Sequence, residues 1–488
     1  MNTAKAMRVD EKRLVIILAH ILVCMSLVAS GILYQQLNSE SEPLIYPLCC
    51  FLLVLTIWCF WSWFAITKSL FSPYILFFIS ALIFNGGQAI LEIFHGNPKG
   101  ILDGEFTSNT LLNTIFIVNL GLAFFHLGAL ISTGESKLIS PKKNDDKTEK
   151  SLSNIKRSYQ IGWALLSISF LPSLVVLKKS ITTVLSGGYF ALYQQDDATS
   201  FDAAPAVLAG FLVPSALFIL VGSKHKIKGK ILSGSVIILY AMMYFFLGQR
   251  NTAVMALLAF AWLWHQWISP IPKTLLFGVA GFLLFIVFPL VGATRNSAGA
   301  DRLSIEVLLE TFSSMNNPLV AAISEMGGSM NTVAYTIELV PRVRAFQMGE
   351  EYFYGFLTLI PNLFWKIHPT IARGIPDLWL AWEVEPEFAA RGGTFGFSFI
   401  AEAYLNFGLF GTPIALGVMG FLFAKFTLWA VRSGEAARMA TVASYTSFFL
   451  FFARAESAIV LRSLVWYSLF PYLGVCLLGW LQSNKLTR

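Results

Sequence analysis

The sequence predicts an all-α polytopic membrane protein, and three observations carry that expectation. Of its 488 residues 56% are hydrophobic and 13% charged, with a mean hydropathy of +0.65, whereas soluble domains carry about 25% charged residues. Twelve apolar stretches approach the length that crosses a bilayer as a helix, about 20 residues. The lysines between them cluster in alternate connections, as expected of loops that set topology.

The twelve stretches are residues 14–34, 44–66, 71–93, 110–132, 160–177, 204–222, 231–248, 252–269, 274–292, 408–430, 440–460 and 463–482. The first follows a basic start, as a signal peptide would. It is as long as a span and lacks a small-residue cleavage site before Ser39-Glu40-Ser41-Glu42, so it is expected to stay as an uncleaved span. The five cysteines all sit inside apolar runs, with neither metal-ligand spacing nor a paired framework, and read as packing residues. The linker 133–160 holds Lys137, Lys142, Lys143, Lys147, Lys150 and Lys156 and is too polar to bury a core. It is a solvated connection between parts of the bundle, or else a regulatory or docking segment. Together with the run Lys224 to Lys230 it belongs on the cytoplasmic side. Alternation from that anchor puts both termini inside and the long stretch 293–407 outside. The chain thus divides into a bundle of nine spans (1–292), a large outer loop with short helices (293–407) and three closing spans (408–488). No internal repeat marks a symmetric two-half transporter.

Charge sorts with this topology. The inner side takes 22 of the 35 basic residues and the outer side 21 of the 28 acidic ones. Sixteen of the inner 22 are lysine, and nine of the outer 13 are arginine. Lysine sets topology, and arginine does something else outside. Because the outer face is acidic overall, its arginines have to act locally, which suits a guanidinium that grips phosphate or carboxylate oxygens bidentately. The net charge of +7 comes from these short loops, so nucleic acid is not an expected partner.

Arg250 lies where span seven hands over to span eight, and Arg454 interrupts an apolar run inside span eleven with Glu456 nearby. At a hairpin tip Arg250 fits a snorkelling side chain as well as a functional charge, since near-membrane charges are candidates for function. Arg454 requires an anionic partner, either Glu456 or a phosphate. The long stretch holds Arg295, Arg302, Arg342, Arg344, Arg373 and Arg391, the last beside Gly392-Gly393. Glycine there permits close approach of a ligand, although each arginine alone also fits a surface ion pair. Glu383, Glu385 and Glu387 fit a solvated loop better than a divalent-ion site, so no metal is expected. His368 is a candidate general base or a helix cap. Tyr189, Phe190 and Tyr193, in the outer loop 178–203, fit an interfacial belt or a platform for sugar rings. Residues 352–365 are apolar but too short to cross, and lie along the surface or dip in and return. In the run Gly396 to Gly411, Glu402 enters an apolar segment, where a carboxylate is costly unless paired or protonated. The long stretch reads as a lid pressed on the bundle over an amphiphilic substrate.

With Gly248-Gln249-Arg250, Thr294-Arg295, Leu359-Ile360-Pro361-Asn362-Leu363-Phe364-Trp365, the run Phe397 to Gly408 and the late Arg454, the chain resembles the Wzy-type O-antigen and oligosaccharide-repeat polymerases. The resemblance implies a GT-C-like glycosyltransferase of the bacterial inner membrane, with no cofactor, working at the periplasmic face. Its substrate would be an undecaprenyl-pyrophosphate-linked oligosaccharide, the growing glycan passing to the non-reducing end of a new unit. A flippase and a chain-length regulator are the partners implied. On this reading Arg250, Arg295, Arg302, Arg373, Arg391 and Arg454 bind pyrophosphate. Glu402 serves as base or arginine-orienting residue, and His368 is the second candidate base. The alternatives are an O-antigen ligase and a flippase for the lipid-linked unit.

Overall fold

The computed structural model describes residues 2–37, 40–134, 145–194, 200–294, 317–360, 365 and 367–486. Arg295, Arg302 and Pro361–Phe364 lie outside the described residues. No strand occurs among the described residues. The first eleven helices are α1 (Asn2–Leu37), α2 (Glu42–Thr67), α3 (Pro73–Ile93), α4 (Ser108–Ser132), α5 (Asp145–Gly187), α6 (Ser200–Ala209), α7 (Leu212–Gly222), α8 (Ile227–Phe246), α9 (Arg250–Leu263), α10 (Lys273–Phe282) and α11 (Phe288–Thr294). The long stretch then contributes α12 (Pro318–Gly327), α13 (Met330–Leu339), α14 (Glu350–Leu357), α15 (Pro369–Arg373), α16 (Pro376–Val384) and α17 (Pro386–Ala390). The chain closes with α18 (Phe399–Ser433), α19 (Ala436–Phe449), α20 (Ser457–Ser463) and α21 (Phe470–Leu486).

Ten helical segments among the described residues are long and apolar enough to cross a membrane. The chain is a multi-pass membrane protein. Two of the twelve expected spans fall outside that set. Residues 252–269 are helical as α9 and a π-helical turn, Trp264–Ile268, but carry more polar residues. Residues 440–460 are broken. There α19 ends at Phe449, a 3₁₀ turn covers Leu450–Arg454, and α20 starts at Ser457. This region is buried by protein rather than lipid, which relaxes the demand for apolar side chains and continuous helix. Thr441, Ser444, Thr446 and Ser447 are all buried in it. The carbonyls freed at the break find side chains of α3: Leu450 O accepts from Ser80 Oγ at 2.9 Å and Ala453 O from Asn85 Nδ2 at 3.0 Å.

The α4–α18 pair forms the spine of the larger core. Glycines set its separation, as in membrane bundles where small residues let backbones touch. A Cβ on Gly128 would stand 1.8 Å from Gly417 O, and one on Gly420 would stand 1.9 Å from Phe125 O. A second core gathers α7, α8, α9 and α19. Ends that alternation assigns to one side do meet: Arg13 Nε donates to Thr133 Oγ1 at 3.0 Å, and Arg432 Nη2 to Thr133 O at 2.7 Å.

The described part of the long stretch shares the core of the bundle. Met330, Val333, Val340, Leu380 and Phe397 belong to the same core as α2, α3 and α4. In α14, Tyr352 stacks on Phe407 with ring centroids 5.9 Å apart, while Phe353 and Phe356 are exposed.

Candidate active site

The site begins with a break in α18. Ser398 caps its first turn, the hydroxyl oxygen accepting from Ile400 N at 3.1 Å while donating to Asn85 Oδ1. At Gly408 φ is +63°, a left-handed conformation that glycine takes without strain, and a Cβ there would come within 3.0 Å of the Phe346 ring. The break strands carbonyls one turn earlier, as any helix end does. Leu405 O and Asn406 O accept instead from Gln347 N at 3.0 Å and Met348 N at 2.9 Å. The Asn406 side chain extends this pairing, its Oδ1 accepting from Gly349 N at 3.0 Å and Glu351 N at 3.4 Å. Residues 347–351 are thereby held to α18 largely through backbone.

That strip carries the groups that hold two arginines. Arg344 Nη2 donates to Glu351 Oε1 at 2.6 Å, and Arg373 Nε lies 3.5 Å from the same oxygen. Arg373 also pairs with Glu350 and donates to Gln347 Oε1. Arg344 sits 4.9 Å over the Trp379 ring and Arg373 4.6 Å over the Tyr354 ring, faces that attract a cation. Glu351 is only 6% exposed. Burial pushes its carboxyl above the usual carboxylate range, although both guanidiniums pull it back. Arg344, Gln347, Arg373, Gly374, Leu378, Trp379 and Trp382 line an open cavity of about 610 Å³.

His368 and Glu402 support this arrangement from either side. His368 is the N-cap of α15, its Nδ1 accepting from Thr370 N at 3.2 Å while Nε2 donates to Ile360 O at 3.3 Å. Both ring nitrogens are engaged in fixing the short helix that delivers Arg373. Glu402 is 1% exposed, and Ser457 occupies both its oxygens, with Oγ 2.6 Å from Oε1 and the backbone N 2.8 Å from Oε2. It therefore caps α20, joining α18 to the restart of the broken helix.

Of the other arginines singled out in the sequence, none among the described residues lines the cavity. Arg250 is paired with Glu325 and donates to Phe288 O at 3.0 Å. Arg454 Nη2 donates to Phe395 O at 3.4 Å, and its charge draws the Asp377 carboxyl down against the burial that raises it. Gly396, at φ +70°, presses on it, since a Cβ would stand 2.8 Å from Arg454 Nε. Arg391 is exposed and bonds its own helix at Glu387 O, 3.2 Å away. Gly392 beside it makes its close approach to Tyr193 O and not to an open space, at 2.7 Å for a built Cβ. Glu383, Glu385 and Glu387 are exposed, and no group of three metal-ligating side chains forms among the described residues. Gln347, Glu351, Trp379 and Trp382 are not among the residues that the sequence singles out, and Arg344 stands there only as one arginine among several. The double acid Glu350-Glu351 following Gly349 was the available signal.

The all-helical bundle with its apolar spans agrees with the polytopic architecture expected from the sequence. A family model described as O-antigen polysaccharide polymerase Wzy matches residues 15–484, nearly the whole chain. The chain belongs to the Wzy family. No curated protein and no solved structure matches this Wzy chain significantly. Membership makes the Wzy chain a glycosyltransferase-like polymerase in polysaccharide biosynthesis, acting in a membrane on lipid-linked oligosaccharide.

Proposed function

We propose that this Wzy polymerase extends O-antigen by transferring the growing glycan from undecaprenyl pyrophosphate to the non-reducing end of a new lipid-linked unit. The reaction runs at the periplasmic face of the inner membrane, with both termini cytoplasmic, twelve crossings and a GT-C-like arrangement of lid over bundle. The single observation that carries this reading is the Arg344–Arg373 pair at one open cavity. The leaving group is already good, so the protein has two tasks: holding two amphiphiles in register and stabilising charge as it develops on the pyrophosphate. Preorganised guanidiniums do both. Glu351 holds the two guanidiniums from behind, while Glu350, 61% exposed, is the partner a phosphate would displace from Arg373. Glu402 and His368 act as positioning residues. Below the break, α18 and α4 leave an apolar cavity of about 280 Å³ bordered by Phe124, Leu127, Pro413, Ile414 and Phe421. It suits part of the isoprenoid tail.

The test is the lipopolysaccharide banding pattern of the native host with and without this chain. Loss is expected to leave lipid A core capped by a single repeat unit with no ladder, and an uncapped core would identify a ligase instead. Purified protein is expected to turn over lipid-linked units in detergent, where nothing is transported. Neutralising the displaced acid provides a second check. Glu350→Gln is expected to tighten undecaprenyl pyrophosphate binding severalfold in a direct binding assay, because the ligand no longer competes with a carboxylate for Arg373.

A further inference from the structure

The cavity is divided by chemistry. Arg344, Gln347 and Arg373 supply charged and hydrogen-bonding groups, whereas one short helix, α16, supplies Leu378, Trp379 and Trp382. Residues three and four apart share a helix face, so Leu378 and Trp379 stand beside Trp382. The two indoles are differently placed. Trp379 carries the Arg344 guanidinium on its ring. Trp382 is 53% exposed, lies in no candidate span, and shows no ring or cation partner among the described residues. We infer that Trp382 stacks against the sugar bonded to the donor's pyrophosphate and so determines which reducing-end sugar the polymerase accepts.

This inference rests on the pyrophosphate reading of the cavity. If the guanidiniums hold the diphosphate, the anomeric carbon is one oxygen away from phosphorus, and the first sugar ring has to fall within the same cavity. At about 610 Å³ the cavity lies within the range of small-ligand sites, roughly 300–1,000 Å³, so a diphosphate and one ring fit together. A pyranose presents a face of C–H groups that packs on an indole, while its hydroxyls keep their water or reach polar neighbours. Tryptophan supplies that large flat contact together with a polar N–H. The competing role for an exposed tryptophan is a membrane-interface anchor, which would be indifferent to the sugar.

Two probes separate these roles: the host's lipid-linked repeat unit, and undecaprenyl pyrophosphate, which has no sugar. Affinities for both are measured with purified wild type, Trp382→Ala, Trp382→Phe and Arg373→Ala. Trp382→Ala is expected to weaken the repeat unit by on the order of tenfold and to leave undecaprenyl pyrophosphate unchanged, with Trp382→Phe recovering most of the loss. Equal weakening of both probes, or of neither, overturns the sugar role and leaves an anchor. The Arg373→Ala arm reports on the underlying reading separately. Wild-type affinity of that variant for both probes sinks the pyrophosphate site, whereas weakening of both with no discrimination by Trp382→Ala sinks the sugar role alone. Because Trp382 is half exposed, its variants are expected to keep the wild-type elution volume and melting temperature.

Discussion

Arg373→Lys is expected to lower polymerisation by about 100-fold, the scale seen when one preorganised donor is removed from a developing anion. The protein should still insert and fold. Lysine keeps the charge but gives up the planar fork, and here the fork spans three groups: its terminal nitrogens face Glu350 and Gln347, while Nε lies 3.5 Å from Glu351. Arg344→Lys is expected to behave alike, because an ammonium cannot lie flat on Trp379 as the guanidinium does at 4.9 Å. The measurements are turnover of lipid-linked units by purified protein and the ladder restored in a strain lacking the wild-type chain. A near-normal ladder from Arg373→Lys would show that the guanidinium only ties α15 to α14.

The second large effect is expected at Glu351. Its carboxylate, 6% exposed, is shared by both arginines. Glu351→Ala leaves two partly buried cations without their common partner, a loss of about 3 kcal/mol for a broken buried pair. Both a lower melting temperature in detergent and loss of the ladder follow. Glu351→Gln keeps the volume and one acceptor oxygen, so it should melt closer to wild type yet remain impaired, since a neutral amide holds a guanidinium less firmly. An unchanged melting temperature for Glu351→Ala would mean that residues 344–373 are held by the α18 backbone pairing alone.

Arg454 shows why the site was only partly legible from the sequence. A lone charge in an apolar run announces that an anion is near, and the nearest in sequence is Glu456. In the fold the chain turns through 3₁₀ geometry at residues 450–454, and the charge of Arg454 reaches Asp377 of α16, far away in sequence. Glu402 was likewise recognisable as a buried carboxylate needing a partner. That the partner is a serine hydroxyl and a helix N-terminus depends on α20 restarting beside α18. Arg373 and Arg344 stand out in the sequence by type alone, and their pairing depends on Gln347 and Met348 finding the carbonyls stranded before Gly408.

The sequence by itself determined the class of molecule: an all-helical multi-pass membrane protein with motifs that resemble one polymerase family. Those properties are sums over local stretches, because the apolar length that lets a helix face lipid is carried by its own residues. Only the tertiary structure decided which charges meet. A guanidinium gains from a carboxylate over a few ångströms, and the break at Gly408, the caps at Ser457 and Thr370 and the turn at Gly349 set those distances between segments that are remote in the chain.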